Sequence, residues 1–264
     1  MLKTIRRLFL DRHAKYEKRF ARKFNKALRN QYLFASISLN PELIPTDELE
    51  RAYTQMYQYI MQQEGVITWN TYVPENPIKR KDLTDVIAEI FAPENQDDMS
   101  VFWETLMRTY LNTYIVTRLL DVTKTTARQI TQLIEEQRQL GKTVDEIRKA
   151  LEKEARKQKI RANTIARTET TNAMNKSQVL ALHSSGKEWE KSWDAVRDER
   201  TRDAHFIMEP TVWIDLNDNF NVGGELLGYP GDITLGASAG NVINCRCSLN
   251  FKEKGKRYGF RQIR

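Results

Sequence analysis

Three residues of this 264-residue chain have side chains that suit metal or thiol chemistry: His205, Cys245 and Cys247. A structural zinc takes four ligands, usually cysteine and histidine, and Asp198 or Asp203 is available as a fourth. A loop-rich unit with little core gains from such a staple. Against zinc, Cys-x-Cys is tighter than the usual Cys-x2-Cys knuckle, and no second cysteine pair exists. The plainer reading is two buried or half-buried free cysteines that pack the loop, with no resident cofactor. A disulfide across one residue is strained, so folding in a reducing cytoplasm is expected rather than an extracellular disulfide framework. A Cys–His nucleophilic dyad needs a general base and an oxyanion site. No nucleophile signature surrounds either cysteine, and the chain is not expected to be an enzyme.

Two further blocks are dense in polar chemistry. Arg167-Thr168-Glu169 falls near the middle of an expected helix. Arg167 and Glu169 lie about 200° apart around its axis, so they face different partners. Arg167 suits a bidentate grip on a carboxylate or carbonyl cluster, which makes the block a clasp between the helix and the β-containing unit. Trp193 then precedes Asp198, Arg200, Thr201, Arg202 and Asp203, just ahead of His205. In a turn after a strand Asp198 can cap backbone N–H groups. A phosphate contact by Arg200 or Arg202 competes with a merely solvated turn. Asn244 and Arg246 interleave with the two cysteines.

Charge is unevenly placed. Residues 1–30 hold eleven Lys/Arg against two Asp/Glu, and residues 252–264 six against one, so the net charge of +7 conceals an acidic body with basic ends. Such ends suit phosphates or an acidic protein surface. In the tail, Lys252, Lys254, Lys256, Arg257, Arg261 and Arg264 interleave with Phe251, Tyr258 and Phe260, a composition able to neutralise phosphates and stack on bases. No sequence-reading DNA motif is present, so any DNA contact is expected to be non-specific and salt-dependent. No apolar run reaches the roughly 18–20 residues that span a bilayer, and no secretory signal is expected.

These residues need elements to hold them. Ile5, Leu8, Phe9, Tyr16, Phe20, Phe24, Leu28 and Tyr32 make one apolar stripe on a basic helix over 4–34, which packs on the chain's own core, docks on a partner, lies on a membrane or touches nucleic acid. A helix is expected over 46–63, stopped by Gly65, then a connector over 66–81, a short helix over 83–91 and a loop over 93–98. Residues 99–121 form a helix apolar on most faces, including Phe102, Trp103 and Leu106, followed by a separate helix over 125–140 stopped by Gly141. Thr143 with Glu146 has capping-box spacing and opens a helix to about 159. Another covers 161–184, closed by Gly186. Beyond it, Trp189, Lys191 and Trp193 alternate with polar residues as a strand does. Residues 211–214, 242–243 and 248–251 are further strand candidates, and the glycine-rich 223–240 is expected to be irregular. The fold class is therefore α+β: a predominantly helical N-terminal body with a small, loop-rich β-containing C-terminal unit. Three regions are expected: 1–122 helical, 123–251 carrying the blocks, and 252–264 a basic tail.

The ordered set of blocks resembles the Mu F-like head morphogenesis family of tailed phages. It comprises Ile165-Ala166-Arg167-Thr168-Glu169-Thr170 with Ala173 and Asn175, then the segment from Lys191 through Trp193, Asp198, Arg200, Thr201 and Arg202 to His205, then Asn244-Cys245-Arg246-Cys247. The helix after Gly141 and the Pro230-Gly231-Asp232 turn fit as well. After the histidine the family commonly turns on a glycine, whereas this chain has Phe206-Ile207-Met208-Glu209-Pro210-Thr211. The resemblance implies a portal-associated minor capsid protein of the virion. It would be assembled in the host cytoplasm and present in several copies in the head interior near the portal. Its implied partners are the portal protein and/or the major capsid protein, and packaged double-stranded DNA. Two rivals stand beside this reading: a nucleic-acid-binding module without a capsid role, and a Cys–His or metal-dependent hydrolase.

Overall fold

The structure, a computed structural model, describes residues 2–75, 98–208 and 210–256. The helix expected over 83–91, most of the loop over 93–98, the side chains of Phe102, Trp103 and Leu106, and tail residues Arg257, Tyr258, Phe260, Arg261 and Arg264 lie outside what is described. In chain order the helices are α1 (Leu2–Ser38), α2 (Asp47–Tyr72), α3 (Asp98–Gln139), α4 (Val144–Lys157), α5 (Lys159–His183) and the short α6 (Asp203–Phe206) and α7 (Ala239–Val242). The strands are β1 (Trp189–Asp194), β2 (Ile214–Asp215), β3 (Phe220–Val222), β4 (Glu225–Leu227) and β5 (Ser248–Glu253). The class is α+β, with a helical N-terminal body.

Helix lengths differ from the sequence expectation where tertiary burial outweighs local signals. α2 continues through Gly65 to Tyr72. A helical glycine costs about 1 kcal/mol, but Val66, Trp69 and Val73 beyond it are buried, each contributing roughly 1.5–3 kcal/mol. The two helices expected over 99–140 are one, α3. Its β-branched stretch at 122–126 is weakly helix-forming, yet Val122, Thr126, Ile130 and Ile134 recur every fourth residue and are all buried. The continuous stripe fixes the helix. α4 starts as expected, with both halves of the Thr143–Glu146 capping box present.

Two compact units are built from discontinuous segments, and each draws on residues from both sides of position 122. One comprises Lys15–Tyr57 and Tyr110–Ala166 and is helical. Its core includes Tyr32, Ile44, Ile130, Ile134, Ile147 and Leu151, with Phe24 edge-on to Tyr53 at 4.9 Å.

The other unit comprises Met1–Ala14, Gln58–Thr109 and Arg167–Arg264. Its sheet has the order β2-β1-β5, with both pairings antiparallel and Trp189 opposite Glu253 through to Asp194 opposite Ser248. The alternation that marked β1 implies one wet face, but five of its six residues are buried, Lys191 included. Strand 211–214 is reduced to Ile214–Asp215. The irregular stretch expected at 223–240 contains a hairpin, β3–β4, turned on Gly223 and Gly224 with φ of +61° and +89°, the double left-handed geometry of a two-residue hairpin turn. Val242 is helical rather than extended, at the end of α7. The core gathers Trp69, Leu182, Trp189, Trp193, Phe220, Val222, Leu249 and Phe251.

Candidate functional site

The site is built on α5, and on polar residues rather than apolar ones. Thr168, Thr171, Asn172 and Asn175 follow i, i+3, i+4, i+7 spacing, so they share one helix face, and all are at most 3% exposed. This face holds backbone from two loops. The Thr168 hydroxyl accepts from the Asn244 N–H at 3.0 Å. Thr171 donates to the Cys245 carbonyl in a short hydrogen bond and meets His13 Nε2 at 2.9 Å. Asn172 Nδ2 donates to the Gly231 carbonyl at 2.8 Å. Asn175 Nδ2 lies 3.2 Å from the Pro230 carbonyl and 3.1 Å from that of Cys247. Buried carbonyls need partners, and here a helix face supplies them.

The approach is close enough to dictate loop residues. Gly231, at φ +88°, sits so near α5 that a Cβ there would lie 3.1 Å from the Asn172 backbone nitrogen. Asn244 adopts φ +61°, a left-handed conformation that asparagine tolerates better than most residues. Its side chain accepts from Arg167 Nη1 at 3.1 Å. This hydrogen bond joins α5 to the cysteine loop. Glu169 is fully buried.

The loop from β1 to α6 folds around Asp198. Its carboxylate accepts from the Arg200 N–H at 3.0 Å, from the Thr201 hydroxyl at 3.2 Å and from Arg246 Nη2 at 2.7 and 2.8 Å. The hydrogen bond from Arg246 is the first cause that holds the Asp198 carboxyl below its ordinary range. Thr201 also donates to the Val196 carbonyl, and Arg202 to the Ile243 carbonyl, both in short hydrogen bonds. Arg200 points outward, 3.8 Å from Asp198.

The ordered turn delivers His205, 1% exposed, to the two cysteines, which are 2% and 3% exposed. His205 Nδ1 lies 3.7 Å from Cys245 Sγ and 3.5 Å from Cys247 Sγ. Trp193 meets the imidazole edge-on with centroids 5.3 Å apart. The cysteines are free thiols. Cys245 is held protonated by its hydrogen bond to Cys247 and by burial. Cys247 is the more acidic, chiefly because its sulfur accepts from Cys245 and secondarily because of His205.

The expected basic arm begins differently. Lys252 lies within β5, 2.9 Å from Glu190 and over the Trp213 ring. Lys254 pairs with Asp215 at 3.2 Å and Lys256 with Glu253 at 2.6 Å. Each of these three charges faces a carboxylate of the sheet.

Several contributors escaped the sequence reading. Thr171 and Asn172 carried a signal, the i, i+3, i+4, i+7 polar spacing on an otherwise ordinary helix. Arg6, which forms a bidentate pair with the buried Asp194, left none, and Lys191 showed in the sequence only as a strand and block residue, with no sign of its burial. The Lys191 ammonium donates to the Gly228 carbonyl at 2.6 Å and lies over Phe220. Burial pushes it down to about 8. Asp232 fastens the same loop, accepting from the Gly228 N–H at 2.9 Å and the Thr234 N–H at 2.8 Å.

Residues 128–250 match the family model described as Phage Mu protein F like protein. This segment is similar to the Phage Mu protein F-like family. No curated protein and no solved structure matches the chain. The Phage Mu protein F-like match begins within α3 and ends in β5, so it contains the polar face of α5, the Asp198 turn, His205 and the cysteine loop together. The similarity suggests phage head morphogenesis.

Proposed function

We propose that this chain is a minor head protein of a phage that works by binding and catalyses no reaction. It docks on the portal or the inner capsid in several copies, within the head and near the portal, and touches packaged double-stranded DNA non-specifically. The observation that carries this reading is the outer side of α1. Most of the apolar stripe is packed on the chain's own core, since Phe9, Tyr16, Phe20, Phe24, Leu28 and Tyr32 are all buried, whereas Leu8 is 44% exposed. Along its middle, α1 offers charge outward: Lys15, Lys18, Arg22 and Arg29 are exposed and form a cationic ridge about 21 Å long at 1.5 Å per residue, while Leu8, Phe34 and Ile37 are exposed towards its ends. Such a ridge suits phosphates or an acidic protein surface. The absence of a catalytic role is supported by burial, because the imidazole and the two thiols belong to residues at most 3% exposed. Among the described residues, no helix is long and apolar enough to cross a membrane.

The test is co-sedimentation of the full chain with the portal ring of the same phage, alongside DNA retardation at several salt concentrations. The comparison protein carries Lys15→Glu, Lys18→Glu and Arg22→Glu, which leave the buried stripe intact. Portal co-migration that survives moderate salt supports docking. Each phosphate that the protein no longer neutralises lowers the salt slope of DNA binding by about 0.9, so a slope unchanged in the triple variant refutes the ridge as the DNA-binding surface. DNA retardation without portal binding replaces the head-protein reading with a nucleic-acid module.

A further inference from the structure

The His205, Cys245 and Cys247 cluster joins a helix after β1 to a loop some forty residues further on, in a part of the fold with only short strands. A tetrahedral ion with metal–sulfur bonds of about 2.3 Å and a metal–nitrogen bond of about 2.0–2.1 Å separates its sulfur and nitrogen ligands by about 3.6 Å. The two sulfur–Nδ1 separations here, 3.5 and 3.7 Å, bracket that value, and the three donor atoms all lie within 4.8 Å of one another. A hydrogen bond between a thiol and an imidazole needs one sulfur near the ring nitrogen, whereas here a single nitrogen addresses both sulfurs almost equally. The other ring nitrogen, Nε2, is buried and has no hydrogen-bond partner among the described residues.

We propose that these three residues bind one zinc-type divalent ion. Two thiolates and one imidazole are soft and borderline donors that select zinc over magnesium or calcium. Two thiolates also neutralise a dipositive ion, so the completed site carries no net charge and can be buried without the cost of an isolated charge. The protein positions the donors from outside the cluster: Thr171 and Asn175 fix the carbonyls of Cys245 and Cys247, and the Asp198 turn leads into the helix bearing His205. Among the described residues no further Cys, His, Asp or Glu joins the group, and Asp198 is engaged by Arg246. The described residues thus supply three of the four ligands of a tetrahedral ion. With its ligands at most 3% exposed, the ion is a staple rather than a catalyst.

The test uses the full chain purified without chelator under reducing conditions. Elemental analysis is expected to find zinc equimolar with protein. Cobalt exchanged for it is expected to give thiolate-to-metal charge transfer and the intense visible bands of tetrahedral geometry, and Cys247→Ser to diminish that charge transfer. Chelation is expected to lower the melting temperature of the wild type by at least about 5 °C, consistent with loss of a structural metal. Folded wild-type protein that holds no equimolar metal and shows no thiolate–cobalt band after reconstitution overturns the proposal. That outcome does not depend on whether the variant folds, and it leaves the head-protein reading untouched.

Discussion

Asn175→Ala tests whether the polar face of α5 holds the site together. The side chain is fully buried, and its amide reaches the carbonyls of Pro230 and Cys247 from two different loops. Removing it strands both acceptors away from water. Each buried, unsatisfied group costs about 1–3 kcal/mol, so a loss of about 4 kcal/mol is expected for the pair. At about 2–4 °C per kcal/mol for a domain of this size, the melting temperature falls by about 8–16 °C. The assay is denaturant unfolding followed by tryptophan fluorescence, since Trp69, Trp189 and Trp193 all lie in the adjoining core. Thr171→Val keeps the shape but removes the hydroxyl partner of both the Cys245 carbonyl and His13 Nε2, so about 1–3 kcal/mol is expected for each group left unsatisfied. Asn175→Asp should be worse than alanine, because it aims an acceptor at acceptors. The reasoning fails if Asn175→Ala costs under about 1 kcal/mol, or if aspartate is tolerated better than alanine.

Arg6→Met deprives the buried Asp194 carboxylate of its guanidinium and is expected to cost about 3–5 kcal/mol. The exposed neighbour Arg7, changed the same way, should stay within about 0.5 kcal/mol. Equal effects in chemical denaturation would remove the pair from the account. Lys191 predicts a pH dependence of known sign. Its folded value of about 8 lies below the ordinary lysine value near 10.4, so below about pH 8 both states are protonated and the burial penalty is in full force. Between about pH 8 and 10 the unfolded chain keeps a proton that the folded chain has lost, so stability rises with pH, by at most roughly 3 kcal/mol. Lys191→Met should flatten that rise, and a rise of the same size in the variant would assign it elsewhere.

Local sequence determined most of the elements and the chemistry of the site. The Thr143–Glu146 box starts α4 because two side chains and two N–H groups suffice to close it. The apolar stripe of α1 needed only its 3.6-residue period, and Gly186 ends α5 at φ +68° because a left-handed residue stops a helix. The order of blocks from Arg167 to Cys247 marked the region that the family match spans. Tertiary structure decided whatever depended on partners remote in sequence. α2 passes through Gly65, and α3 through its β-branched stretch, because buried side chains outweigh propensity. The hairpin at Gly223-Gly224 hid in a glycine-rich stretch because three-residue strands are too short to show a period. Arg6 and Asp194 are 188 residues apart, Thr171 and the Cys245 carbonyl 74, and no local pattern encodes such pairings. The convergence of His205 on both cysteines was available from sequence only as residue types. The separations that match a metal's ligand shell arise from α5, whose threonines and asparagines hold the backbone of the loops in place.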